Sequence, residues 1–245
     1  AVKRKKFVLE KVLVTGYAAE GKSLAKIDGK VIFIERAVPG DIVDIQLTKN
    51  KKDWAEAYPI HFKKYAELRT TPFCEHFGIC GGCQWQMLPY AQQLIYKQKQ
   101  VSDNLSRIGK VILPEMLPII GAEQTEYYRN KVEYTFATKR FVLTQEFNQL
   151  KSEGLPVINE GNYAGFHAKG MFDKVVEINQ CHLQEEPSNA LRKAVVAFCK
   201  ENDVAMYDVK NHTGWLRNMM VRIATTGEWM ANIVVGFDDQ KLIKQ

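Results

Sequence analysis

Three of the chain's five cysteines, Cys74, Cys80 and Cys83, stand within ten positions in the stretch CEHFGICGGCQWQ. Thiolates are soft ligands, suited to zinc or to the iron of an iron–sulfur centre. The two glycines between Cys80 and Cys83 are expected to supply the positive φ angles of a loop wrapped round such a centre. Their amides can also point at sulfur and stabilise its negative charge. Three ligands leave a four-coordinate centre one short, and two cysteines remain. Cys181, in NQCHLQ, follows the strand-like KVVEI and precedes a loop, a place from which a side chain can reach a neighbouring site. Cys199, in AVVAFCK, sits on an apolar helical face and reads as a small buried hydrophobe. Cys181 is the favoured fourth ligand. Three close cysteines with one distant favour iron–sulfur over zinc, whose four-cysteine sites often show two close pairs, although spacing leaves both open. His76 could ligate zinc but reads as a surface loop residue.

Around this cluster the 245 residues suffice for two compact units. The net charge of +6 is unevenly spread: residues 1–72 hold 15 Lys plus Arg against 9 Asp plus Glu, and residues 73–245 hold 19 of each. A basic end module, including Lys3 to Lys6, Lys49, Lys51, Lys52, Lys63 and Lys64, suits a polyanion, because neutralising phosphates releases counterions. No apolar run is long enough to span a membrane, and the N-terminus lacks a signal-peptide stretch, so the chain reads as cytoplasmic with no membrane partner. In a reducing compartment clustered thiols are more often ligands than disulfides.

Residues 7–62 read as short strands, FVLEKVLV, KVIFIE, DIVDIQL and WAEAYPIHF, punctuated by Asp28-Gly29 and Pro39-Gly40. That pattern predicts a small closed barrel at 1–66. The remainder, 67–245, reads as α+β with a largely antiparallel sheet. A helix is predicted over 89–109, strands over 127–140, 163–168 and 174–178, a helix over 187–202, and a hairpin turning at Thr226-Gly227. Residues 144–162 read as a long polar loop.

The run from Cys74 through QWQMLPYAQQLIYKQKQV, with YRNKVEYTF at 128–136 and GFHAKGMFDKVVEINQCHL at 165–183, closely resembles the RNA uracil-C5 methyltransferases, nearest to their bacterial 23S ribosomal RNA branch. The resemblance implies a TRAM domain, an OB-like RNA-binding barrel, at 1–66, then an iron–sulfur-bearing α+β domain at 67–245. It implies a [4Fe–4S] cluster on Cys74, Cys80, Cys83 and Cys181, and 23S rRNA as partner. Such enzymes continue into a Rossmann-like domain that binds S-adenosylmethionine and carries a nucleophilic cysteine and a base. In them a thiolate adds at uracil C6, C5 takes the methyl group, and the base removes the C5 proton. The chain stops at KLIKQ without a Gly-rich strand–helix loop. The expectation is therefore a front portion whose methyltransferase domain is absent, with no catalytic residue of its own and no methylation by the piece alone. On that reading S-adenosylmethionine belongs only to the full-length enzyme, a monomer, and the 89–109 helix packs on the absent domain. The alternative is a stand-alone RNA-binding protein with a structural four-cysteine site.

Residues expected to face RNA follow from chemistry and resemblance together. Arg129 and Lys131 would present two cations on one strand face. Phe166, His167 and Lys169 offer an aromatic ring, a polar ring and a cation within four positions, and Arg217 and Arg222 flank the apolar NMMV. In the barrel, Lys30 and Arg36 are placed for RNA, whereas Phe33 reads as core. Trp85 reads as a cover shielding the cluster from water.

Overall fold

The computed structural model describes residues 7–244. The lysine-rich start, Lys3 to Lys6, lies outside them. The chain forms two compact units. One comprises the residues up to Phe73 with Gln84–Glu123; the other comprises Cys74–Cys83 with the residues from Gln124 onward. The division is interleaved, unlike the single cut at 66/67 expected from sequence. Local bonding explains it. Gly81 N–H donates to His167 O (3.1 Å) and Cys80 bridges to Ala168, which fastens the cysteine loop to the second unit. Trp85 Nε1, two residues beyond that loop, donates to Gly21 O (3.1 Å), and its ring lies 4.9 Å from that of Tyr17. Trp85 thus packs in the first unit with Tyr17 and Tyr96, where sequence had made it the cover of the cysteines.

The first unit is a six-stranded sheet built from β1 (Val8–Leu13), β2 (Gly16–Tyr17), β3 (Ser23–Ile27), β4 (Lys30–Ile34), β5 (Ile42–Asn50) and β6 (Trp54–Lys64). The order is β1-β5-β6-β4-β3-β2, antiparallel except for β4 beside β6. Alternation along the strands puts Val12, Ala25, Ile32, Ile34, Val43, Ile45, Ala55 and Ala57 in one core. The hairpin from β3 to β4 turns on Asp28 and Gly29, both at positive φ, as a two-residue turn matched to strand twist demands. Two polar side chains are wholly interior, Ser23, whose hydroxyl donates to Ile34 O (2.8 Å), and Asp41. Asp41 accepts the N–H groups of Val38 (2.7 Å) and Ala66 (2.9 Å), and pairs with Arg69 through Nε (2.9 Å) and Nη2 (2.7 Å).

The 89–109 segment forms α1 (Tyr90–Asp103), prolonged by a wider turn over Asn104–Ile108. None of its residues is buried. It is tied instead to the extended stretch after it. Gln98 donates to Leu117 O and accepts from Ile119 N, and Tyr90 Oη accepts from Ala122 N.

The second unit is a five-stranded antiparallel sheet, order β11-β10-β7-β8-β9, made of β7 (Lys131–Lys139), β8 (Glu160–His167), β9 (Val175–Glu177), β10 (Leu216–Ile223) and β11 (Trp229–Val235). One face carries Val132, Tyr134, Phe136, Met219 and Val221 and packs with α3 (Glu186–Glu201) around Cys199, which is fully buried. The polar 144–162 segment is not a loop throughout: α2 (Thr144–Ser152) forms there, anchored by the ion pair of Arg140 with Glu146. Its nine residues carry no buried side chain, so periodicity gave no signal. A short helix, α4 (Gln240–Lys244), follows β11. No helix among the described residues is long and apolar enough to cross a membrane.

Candidate functional site

All four cysteines singled out by sequence lie in the second unit, none in a disulfide. Cys181 is buried, and Cys74, Cys80 and Cys83 are half-buried. Burial pushes the Cys80 thiol up to about 11, and charge on Cys83, Cys181 or Cys74 would raise it further. Burial likewise raises Cys74 and Cys181, each also sensing Cys83. Cys199 is raised by burial alone and stands apart. The four thiols are therefore electrostatic neighbours, whereas the fifth is core.

The loop's glycines act differently from expectation. Neither Gly81 nor Gly82 has positive φ; in this loop that conformation falls at Gly78 (φ 85°). Gly81 makes room instead, because a Cβ there would stand 3.2 Å from His167 O. Gly82 does direct its N–H at Cys80 Sγ (3.4 Å). His76 is no free surface residue. Its Nε2 accepts Asn179 N–H (3.0 Å), while Asn179 Nδ2 donates to Glu75 Oε1 (2.9 Å). This clasp ties the residues just after Cys74 to those just before Cys181. It needs a neutral imidazole, and desolvation holds the His76 pKa below its ordinary value.

Cys181 is itself clamped. Its N–H donates to Asn189 Oδ1 (2.8 Å), and Asn189 Nδ2 donates to its carbonyl (3.1 Å), both inside the core. One turn of α3 further on, buried Arg192 donates through Nη2 to Asn179 O (3.0 Å), and its Nε has no partner among the described residues. A buried guanidinium with an unused donor suits a nearby anion. No three His, Cys, Asp or Glu side chains among the described residues could hold a single metal ion.

The face of the sheet away from α3 is open. Lys131 and Arg222 are register partners on β7 and β10, both exposed, and no carboxylate pairs with either among the described residues. Like charges directly opposite one another destabilise a sheet, so an anion between the two would relieve their repulsion. Arg129 is not on their strand. It precedes β7, its N–H bonded to Leu183 O (2.7 Å), and its charge favours the thiolate of Cys181. Phe166 points the other way and stacks on Tyr134 (centroids 5.2 Å), because residues on β8 alternate faces. Lys169 is exposed in the turn after β8. His167 and Arg217 line one recess, with Thr135 Oγ1 and His167 Nε2 3.4 Å apart.

In the first unit, Phe33 is not core. It is half-exposed on the outer face, edge-on to exposed Trp54 (6.4 Å), a ring that sequence reasoning passed over. Lys30 bonds to Asn50 at one end of β4, and Arg36 is exposed beyond the other end, so the two cations are not brought together.

Comparison with known proteins places these features. Residues 4–60 match the TRAM domain family. A Bacteroides thetaiotaomicron protein named as an uncharacterized RNA methyltransferase is 46% identical over 218 residues, 89% of this chain and 47% of the relative. A Porphyromonas gingivalis protein of the same name is 41% identical over 92% of this chain and 49% of its own length. Among solved structures, Pyrococcus abyssi tRNA (uracil-54, C5)-methyltransferase with S-adenosyl-L-homocysteine shares the fold, with a TM-score of 0.59 and 20% identity over 94% of this chain and 47% of that one. The chain is thus similar, over about nine tenths of its length, to proteins named as RNA methyltransferases, and it spans about half the length of those relatives.

These alignments correct two expectations. The fold reading defined by an absent Rossmann-like methyltransferase domain, and the reading of an enzyme whose catalytic portion is missing, are both overturned: a methyltransferase fold aligns with 94% of this chain, and a methyltransferase relative with 89%. The match runs along about nine tenths of this chain and about half of each relative. Where it stops says nothing about activity.

Proposed function

We propose that this chain serves an S-adenosylmethionine-dependent RNA uracil-C5 methyltransferase of the cytoplasm, binding its RNA, 23S rRNA, on the TRAM barrel and on the open face of the second sheet. The observation that carries the RNA reading is the uncompensated cross-strand pair Lys131 and Arg222. The relatives' names support the methyltransferase class, and the sequence resemblance supports uracil C5 and the 23S substrate. None of the described residues is assigned to the methyl donor. The expected result is tight binding of single-stranded RNA that weakens steeply with salt. In the Lys131→Ala, Arg222→Ala double variant the log–log salt dependence becomes shallower by about 2, one per lost phosphate contact. An unchanged slope would refute the phosphate role.

Cys74, Cys80, Cys83 and Cys181 hold a [4Fe–4S] cluster on this proposal. The residues fit: four mutually sensing thiols, an amide aimed at Cys80 sulfur, and a buried arginine with a spare donor suit an anionic cluster several ångström across. Bound, the cluster would join the cysteine loop to the Cys181 segment, a structural task that the His76–Asn179 clasp prepares. Since burial raises the Cys74, Cys80 and Cys181 thiols, loading should release protons. Anaerobically purified protein should show broad absorbance near ~400 nm and about four irons per chain. Cys181→Ser should lose both and Cys199→Ser neither. Stoichiometric zinc in a colourless protein would overturn the assignment.

A further inference from the structure

A β-bulge sets up a second site on the open sheet face. Between Leu216 and Asn218 the β10–β11 register slips, so Arg217 and Asn218, although adjacent in sequence, both line the same recess. Bulges re-aim side chains in this way and recur beside functional sites. The recess holds about 260 Å³, which is room for one planar base and its sugar but too little for a helix or a duplex.

Its chemistry selects among ligands. The Arg217 guanidinium lies 4.9 Å from the Tyr207 ring centroid, a layered cationic wall of the kind on which bases stack. At the floor, Asn218 Nδ2 reaches Glu133 Oε1 at 3.4 Å and Thr135 Oγ1 at 3.5 Å. These bonds are long enough to be exchanged for a ligand at small cost. Its two lysines are engaged: Lys210 pairs with Asp173 and Lys139 with Glu160. The Glu133 carboxylate, an acceptor only, calls for a donor on the ligand. A second, more apolar recess shares His167 and Phe172 with the first, and Phe172 is 66% exposed, so a strand leaving one site meets an aromatic surface at the next.

We infer that this recess holds one unstacked base of a single-stranded RNA, a base bearing an exocyclic amino group in preference to uracil, with the neighbouring nucleotide resting on Phe172. The inference rests on the RNA-binding reading and adds to it a base-selective position separate from the target uracil. Glu133 accepts from the amino group, which uracil lacks. Asn218 and Thr135 meet the adjoining ring atom, and Arg217 covers the face.

The test uses the whole chain and fluorescently labelled heptamers of A, C and U, followed by anisotropy. The A and C oligomers should bind at least about tenfold more tightly than U, the discrimination expected of one well-paired base edge. Asn218→Ala and the near-isosteric Glu133→Gln should each erase most of that preference, with folding checked by circular dichroism. Lys131→Ala should instead weaken all three oligomers alike. Equal binding of the three, or a preference that survives Glu133→Gln, would overturn the base-selective recess and leave the RNA reading intact. Absence of binding by every oligomer would overturn the RNA reading itself.

Discussion

Asp41→Ala should unfold the first unit or leave it barely stable, with a loss of about 3–5 kcal/mol, the range for breaking one side of a buried ion pair. The carboxylate is fully buried and accepts four N–H bonds from three residues: the nearby Val38 amide and, from the segment after β6, the Ala66 amide and the Arg69 guanidinium. Removing it strands those donors in the interior, and Arg69 keeps only its bond to Arg36 O and its position over the Phe62 and Tyr65 rings. Domains of this size are stable by only about 5–15 kcal/mol, so the loss takes a large share of the margin. Urea denaturation followed by tryptophan fluorescence would measure it. Asp41→Asn should also be strongly destabilising, because an amide nitrogen would face N–H donors that a carboxylate oxygen now accepts. A shift below about 1 kcal/mol in the alanine variant would show that these bonds are not what holds the first unit together.

Gly165→Ala should be nearly as severe for the second unit. A Cβ at Gly165 would stand 1.9 Å from Val176 O and 3.0 Å from Val176 C, which are backbone atoms of the paired strand β9 and not a side chain that can swing away. Accommodating a methyl group requires β8 and β9 to separate, at a cost of about 3 kcal/mol or more, the upper end for overpacking. The damage runs on toward the thiols, since β9 leads directly to Asn179 and Cys181. Faster hydrogen exchange of the β9 amides should accompany the lost stability. An alanine variant with ordinary exchange and stability would contradict the close approach.

Much of the strand content was legible in the sequence because it depends on local pattern. KVIFIE and WAEAYPIHF alternate or run apolar between turn residues, and β4 and β6 form there. Thr226-Gly227 marks the hairpin that joins β10 to β11, with Gly227 at φ 95°. Short elements escaped. β2 has two residues, and α2 has no buried face, so neither leaves a period long enough to read.

The sequence by itself determined the type and spacing of the sulfurs. Three stand together, Cys181 follows a strand, and Cys199 lies on an apolar helical stripe that the structure buries completely. Only the tertiary structure decided how they are held. It brought His76 to Asn179 across 103 positions, set Asn189 on both backbone groups of Cys181, and left Arg192 with a spare donor. It also decided which cations act together. Lys131 and Arg222 meet through strand register, and Arg217 joins Asn218 through a bulge, whereas Arg129 and Phe166 are drawn off the face that spacing had assigned to them. The physical reason is that residue type fixes what a side chain can bond. Register, bulges and strand pairing join positions distant in sequence, and no local pattern records which partner a strand will choose.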